Sequence, residues 1–155
     1  MAHLAQLNIA HLAHDLDHPD LAPFVASLEP VNAMADAAPG FVWRLQEENG
    51  NATDVRPWGP TIIVNLSTWT DVESLREYVY SGAHVEVLRQ RRAFFTPVPV
   101  DTLVLWWVPE GHRPSLVEAK ERLDHLRAHG PTAHAFTLRV PFGADAAPAP
   151  AAEHA

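Results

Sequence analysis

His84 is the side chain in this sequence whose type and position best suit proton transfer. It follows the Ser81-Gly82 pair, which interrupts an otherwise helical pattern. A break in a helix leaves backbone groups unpaired and turns a nearby side chain toward a cavity, and histidine titrates near neutral pH. His84 is therefore a candidate general acid or base, and its imidazole is also a candidate ligand for haem iron. The structural alternative is a histidine that caps the resumed helix or is hydrogen-bonded in the core.

Polar side chains on otherwise apolar strands form a second candidate set. Gln6 and Asn8 share one face of the first strand, Arg44 lies on the second, and Asn65 and Ser67 share one face of the third. A buried amide costs free energy unless it is hydrogen-bonded. These residues therefore either line a polar pocket or satisfy one another inside a homodimer. In the pocket interpretation, Asn8 and Asn65 hold substrate oxygens, while Gln6 and Arg44 contribute to binding.

Aromatic residues are the candidate walls of such a pocket. Trp69 ends the third strand, Tyr78 and Tyr80 precede the helix break, and Trp106 lies on the very apolar fourth strand. Indole and phenol rings suit a flat aromatic ligand, although tryptophan is more often a core residue. Because close neighbours on a helix point apart, one of the two tyrosines is expected to serve packing alone.

Three further clusters have less specific spacing. A basic run on the second helix is either a solvated face or an anion site, and His112-Arg113 lies either at a pocket mouth or in solvent. A group of histidines and aspartates early in the chain could bind a divalent metal, but the spacing matches no defined helix or strand site, so we interpret it as a polar loop. These clusters are Arg89, Arg91 and Arg92; His112 and Arg113; and His11, His14, His18, Asp15, Asp17 and Asp20.

Composition excludes several classes of function. The chain has 155 residues. The absence of cysteine excludes thiolate chemistry, and the net charge of −8 makes nucleic acid an unfavourable partner. It contains no phosphate-binding loop, dinucleotide fingerprint or nucleophile elbow. No apolar run is long enough to span a bilayer and no signal segment is visible at the start, so we expect a cytoplasmic protein.

Hydrophobic periodicity predicts the elements that position these residues. A kink or break is expected at Pro30, and capping boxes are expected at Thr70–Glu73 and Ser115–Glu118, with Glu118 paired to Arg122. Predicted strands span 3–11, 41–46, 61–69, 103–108 and 136–140; predicted helices span 20–37, 72–95 with an interruption at 81–82, and 115–129.

The order β-α-β-β-α-β, with an additional C-terminal α-β, predicts an α+β fold of the ferredoxin-like kind. We expect one domain over residues 1–142 and a disordered Ala/Pro-rich tail over 143–155. The strands are apolar on both faces, whereas the first two helices cover only one. We therefore expect a homodimer in which a partner subunit covers the second face. The alternative is that the third helix folds back over that face.

Five stretches together resemble a family of small bacterial proteins known only as a domain of unknown function, over residues 4–142. They are Ala5-Gln-Leu-Asn-Ile, Pro39-Gly-Phe-Val-Trp-Arg-Leu, Asn65-Leu-Ser-Thr-Trp69, Tyr78-Val-Tyr-Ser-Gly-Ala-His84 and Leu105-Trp-Trp-Val-Pro-Glu-Gly-His-Arg-Pro114. Through Asn8, Trp69 and His84 the chain is also similar to the dimeric α/β barrel superfamily, a resemblance that implies a homodimer forming such a barrel. That superfamily includes antibiotic biosynthesis monooxygenases, haem-degrading monooxygenases, aldoxime dehydratases and chlorite dismutases. In the haem-degrading members the ligand histidine falls one turn later, nearer Leu88.

The resemblance implies three hypotheses. The first is a monooxygenase-like enzyme that acts on a hydrophobic, aromatic or polyketide-like substrate without a nucleotide cofactor, with His84 handling a proton. The second is a haem protein with His84 as the metal ligand. The third is a non-catalytic accessory protein that binds a small molecule.

Overall fold

A computed structural model of the chain describes residues 2–14, 17–46, 62–80 and 94–144. Within them, four strands form one antiparallel sheet in the order β2-β3-β1-β4. The strands are β1 (Ala2–His11), β2 (Phe41–Arg44), β3 (Ile62–Trp69) and β4 (Leu103–Pro109), and the helices are α1 (Ala22–Ala37), α2 (Val72–Val79) and α3 (Leu116–His129). The predicted α+β, ferredoxin-like class is confirmed.

Helices α1 and α2 lie on one face of the sheet, which we call the helical face. Val72 and Leu75 of α2 pack with Leu4, Trp69 and Leu105 of the sheet. At the other end of this face, α1 contributes to a separate apolar cluster of Leu12, Leu21, Phe24 and Phe94, against which Ile63 of β3 packs. The helical face therefore carries two apolar clusters, one toward each end of β3.

Helix α3 covers the opposite face over β1 and β4. Ala119, Leu123 and Leu126 are buried in a cluster with alternate residues of the strands, including Leu7 and Trp106. This is the arrangement in which the third helix folds back over the sheet. The expectation that only a partner subunit could cover this face was wrong for its β1–β4 half, and homodimerisation stays a prediction.

Local signals explain where the helices begin. Asp71 caps α2 by accepting a hydrogen bond from the backbone N–H of Ser74 at 2.7 Å, so the predicted cap at Thr70 was wrong by one residue. Ser115 caps α3 as predicted, accepting from the N–H of Glu118 at 3.0 Å. Glu118 does not form the predicted surface pair with Arg122, because its carboxylate binds Trp106 and His112 instead.

Of the kink or break expected at Pro30, the break does not occur, because α1 continues through this residue. One predicted strand also differs from the structure. The strand predicted at 136–140 is reduced to a single bridge between Phe136 and Leu105. The hydroxyl of Thr137 accepts the backbone N–H of Val140 at 3.1 Å, within a bend over residues 138–140.

Other predictions concern residues that lie outside the described ranges. These are the connection at 47–60, the helical segment around 83–93 with its basic run, and most of the C-terminal tail. Among the described residues, no helix combines the length and the apolar character needed to cross a bilayer.

Candidate functional site

A row of polar side chains crosses the helical face between its two apolar clusters. Register places Gln6 of β1 opposite Ser67 of β3, and Asn8 opposite Asn65. We call these four residues the polar row. Because side chains alternate along a strand, all four point to the same side of the sheet. The polar row therefore separates the cluster around Trp69 from the cluster around Ile63.

Buried hydrogen bonds hold one end of the polar row rigidly. Nε2 of Gln6 donates to Oδ1 of Asn65 at 2.6 Å and to Oγ of Ser67 at 2.8 Å. Nε1 of Trp69 donates to the same Ser67 oxygen at 2.9 Å. Gln6, Ser67 and Trp69 are each at most 5% exposed. This end of the row therefore has its amide, hydroxyl and indole groups fixed in orientation before any ligand arrives.

The other end of the polar row is open. Asn8 and Asn65 are exposed, although both lie in the middle of strands. Among the described residues, nothing is hydrogen-bonded to the side-chain amide of Asn8 or to Nδ2 of Asn65. Each amide nitrogen offers two N–H donors, so the pair can bind an oxygen atom of a ligand that enters between the apolar clusters.

Aromatic rings form a wall beside the buried end of the polar row. The ring of Trp69 meets that of Tyr78 at 5.2 Å and that of Phe41 edge-on at 5.4 Å. The Tyr78 hydroxyl donates to the carbonyl of Val31 at 3.3 Å, which ties α2 to α1. Burial, reinforced by the Asp36 carboxylate, raises the pKa of Tyr78 to about 12. Tyr78 is therefore a neutral hydrogen-bond donor at physiological pH and is unsuited to act as a base.

Arg44 of β2 lies on the same face of the sheet, opposite Ser67 of β3. Its guanidinium binds the carboxylate of Asp36 on α1, with Nε to Oδ1 at 2.7 Å and Nη2 to Oδ2 at 3.3 Å. This two-point contact joins the edge strand to the helix above it. Arg44 thus helps to fix the helix that covers the site, and it places a positive charge near the phenol of Tyr78.

Family comparison gives a match over nearly the whole chain. The family model described as "Domain of unknown function (DUF3291)" matches residues 3–152. The chain belongs to this family. No curated protein sequence matches this DUF3291 chain. The predicted resemblance to a domain of unknown function is confirmed.

Solved structures with a similar fold share little sequence with this DUF3291 chain. A protein of unknown function from Nitrosomonas europaea, NE2512, has a TM-score of 0.50 at 13% identity, covering 74% of this chain and 97% of its own. SnoaB, a cofactor-independent oxygenase from Streptomyces nogalater, has a TM-score of 0.47 at 18% identity, covering 74% and 100%. A candidate antibiotic biosynthesis monooxygenase from N. europaea has a TM-score of 0.47 at 9% identity, covering 74% and 94%. These likenesses concern the fold.

The structure brings some of the predicted site residues of this DUF3291 chain together and places others elsewhere. Six of them lie together on the helical face: Gln6, Asn8, Arg44, Asn65, Trp69 and Tyr78. Trp106 is fully buried on the opposite face, where its Nε1 donates to Glu118 at 2.8 Å, so its predicted place in the pocket was wrong. Tyr80 is 66% exposed at the end of α2. His84 lies outside the described residues.

The sequence grouped Ser67 with Asn65 and Trp69 on one side of the third strand, without deciding which face of the sheet that side forms, and did not identify Ser67 as the centre of the network. Its hydroxyl accepts two donors from two different strand positions, and that role depends on the register between β1 and β3. Asp36 was also missed, because nothing in the helical pattern of α1 indicates that its carboxylate reaches Arg44 on β2. The composition of the third strand was the available signal for Ser67, since Asn65, Ser67 and Trp69 alternate on one face.

Haem binding has no support from the described part of the site. A haem iron needs an axial ligand such as an imidazole. The described residues that share the helical face with the polar row supply amides, a hydroxyl, a phenol and a guanidinium, and none of these is a histidine. The one candidate ligand that the sequence offers, His84, lies outside the described residues.

Proposed function

We propose that this protein is a monooxygenase-like enzyme that binds a small, flat, aromatic or polyketide-like substrate on the helical face and oxidises it without a nucleotide cofactor. The observation that carries the proposal is the polar row: two exposed asparagine amides beside a rigid, buried hydrogen-bond network, set between apolar clusters. Such a site combines an apolar surface for the ring system with donors for its oxygen atoms.

The donors of the polar row suit a substrate that becomes negatively charged. An acidic phenol or an activated methylene gains charge on an oxygen atom when it loses a proton. Asn8 and Asn65 can donate to that oxygen, and the network through Gln6 holds Asn65 in place before the charge develops. Donors that are fixed in advance stabilise a developing oxyanion more strongly than water does.

The reaction balances without an external reductant. An activated methylene group and molecular oxygen give a carbonyl group and water: the methylene carbon gives up four electrons and two protons, and molecular oxygen takes them up. One oxygen atom becomes the new carbonyl oxygen, and the other leaves as water. A base is needed to take the first proton. Tyr78 stays protonated at neutral pH, and amides are not bases, so we assign the base to His84 on the sequence argument given above.

Oxygen uptake with hydroxylated two- and three-ring aromatic compounds tests this function. The assay contains no nicotinamide, flavin or added metal. We expect turnover by the unaltered protein and a loss of roughly 100- to 1,000-fold in kcat for Asn65→Ala. His84→Ala should lower kcat by a similar or larger factor. The matched control is Val117→Ala, because Val117 is 83% exposed on α3, which packs on the other face of the sheet.

Two outcomes would overturn the proposal. Saturable binding that Asn65→Ala weakens, with no oxygen uptake for any compound, identifies a non-catalytic ligand-binding protein. A Soret band that appears on adding haem and disappears in His84→Ala identifies a haem protein instead.

A further inference from the structure

We propose that His14, His18 and Asp20 form a binding site for one divalent first-row transition-metal ion, with zinc as the reference ion. The three side chains come from the connection between β1 and α1, on either side of the start of the 3-10 helix Pro19–Leu21. Their ligand atoms all lie within 4.8 Å of one another. The sequence spacing alone favoured a polar loop, and the folded chain brings the three together.

The distances between the ligand atoms are close to those of a metal complex. Nε2 of His14 lies 3.6 Å from Oδ2 of Asp20, and Nδ1 of His18 lies 3.9 Å from the same oxygen. Zinc bonds to nitrogen and oxygen are roughly 2.1 Å long, so ligand atoms at a tetrahedral angle stand roughly 3.4 Å apart. Side-chain rotations would bring the three atoms to this spacing and turn the lone pairs of the two imidazoles, which lie in the ring planes, toward one ion.

The imidazole rings of His14 and His18 are already in contact, stacked face to face. Their rings stack with centroids 4.0 Å apart and planes 12° from parallel. Nδ1 of His18 accepts the backbone N–H of Asp20 at 3.0 Å, so this nitrogen carries no proton, which is the state that metal binding requires. A bound metal would replace that hydrogen bond. Because Asp20 is exposed, its backbone N–H can then donate to water instead.

The donor set indicates which ions the site would take. Two imidazole nitrogens and one carboxylate oxygen suit zinc, copper, nickel or iron, whereas calcium and magnesium prefer oxygen ligands alone. His14 and Asp20 are exposed and His18 is half-buried, which leaves the remaining coordination positions to water.

Residues that are buried or hydrogen-bonded to the rest of the protein flank the metal site along the chain. Leu12 and Leu21 are buried in one apolar cluster, and the N–H of Ala13 donates to the carbonyl of Phe94 at 2.8 Å. The ligands thus project from a connection that is fixed before His14 and after Asp20. A metal that bridges them would bind the folded chain in preference to the unfolded one and raise its stability.

Calorimetric titration with zinc chloride in a non-coordinating buffer tests the site on the full-length protein. We expect one equivalent of zinc to bind saturably, and a rise in the melting temperature when zinc is present. His14→Ala, His18→Ala and Asp20→Asn should each weaken zinc binding at least tenfold. His129→Gln is the control, since His129 is an exposed histidine on α3 outside the cluster, and it should leave the affinity unchanged.

Far-UV circular dichroism of the metal-free variants establishes that they fold, and Asp20→Asn tests the site without altering either imidazole. The proposal is overturned if zinc binds without saturation, or if the folded His14→Ala and His18→Ala variants keep the affinity of the unaltered protein. It is also overturned if His129→Gln weakens binding as much as the cluster variants do.

Discussion

Replacing Ser67 with alanine should destabilise the protein by about 2 kcal/mol, because one hydroxyl satisfies two buried donors. The indole N–H of Trp69, which is 1% exposed, loses its partner. A buried donor without a partner costs about 1–3 kcal/mol. Gln6 loses less, since its Nε2 keeps the Oδ1 of Asn65 at 2.6 Å. The loss is a substantial part of the roughly 5–15 kcal/mol that separates folded from unfolded domains.

Urea unfolding followed by far-UV circular dichroism measures this cost. Trp69→Phe removes the orphaned donor, so Ser67→Ala should be less harmful in that background, with a coupling free energy of about 1 kcal/mol in a double-mutant cycle. Ser27→Ala is the matched control. The Ser27 hydroxyl donates only to the carbonyl of Phe24 within α1, and its loss should change stability by no more than about 0.5 kcal/mol.

Either of two results would contradict the proposed role of the Ser67 hydroxyl. One is a cost for Ser67→Ala no larger than that of Ser27→Ala. The other is strict additivity of Ser67→Ala and Trp69→Phe, which would mean that the indole does not depend on the hydroxyl.

Three further predictions test the fold and the wall of the site. Leu123→Ala should cost about 2–5 kcal/mol in urea unfolding, because Leu123 of α3 is fully buried against the sheet; a cost below about 1 kcal/mol contradicts that packing. Burial raises the pKa of Tyr78 from 10.0 to about 12, so stability should fall as the pH rises through that interval, since the folded chain holds this proton more tightly than the unfolded one. Tyr78→Phe should remove the last step of phenolate absorbance, and an unchanged last step contradicts the assignment. Gly40→Ala should cost more than Gly111→Ala in the same unfolding assay, because both have positive φ but only at Gly40 would a Cβ collide with Ser74 and Thr70; equal costs contradict this.

Alternation along the strands was enough to group the polar row correctly. Asn65, Ser67 and Trp69 do share one face, and so do Gln6 and Asn8. Alternation cannot say which residues meet across strands, because that depends on the register and on a bulge between Phe41 and Trp43. For this reason the two same-strand pairs of the polar row were visible in the sequence, whereas their alignment across β1 and β3 and the network centred on Ser67 were not.

Competition between local hydrogen bonds explains the misplaced boundaries. Thr70 and Asp71 are both good capping residues, and only the backbone dihedrals of the folded chain make Asp71 the cap. In the same way, the apolar pattern of residues 136–140 fits a strand, but the Thr137 hydroxyl bends the chain there. These choices differ by small free energies that a pattern of apolar and polar residues does not contain.

The strand sequences alone could not predict which part of the protein covers the second face of the sheet. Burial of apolar surface has no direction, so a strand that is apolar on both sides shows only that something covers it. Here Leu123 and Leu126 of α3 are at most 1% exposed against β1 and β4, so a partner subunit could reach that half of the face only by displacing them. Any homodimer that keeps α3 in place must use another surface. Because the polar row lies on the helical face, the site proposed here does not depend on a partner packed against the α3-covered half.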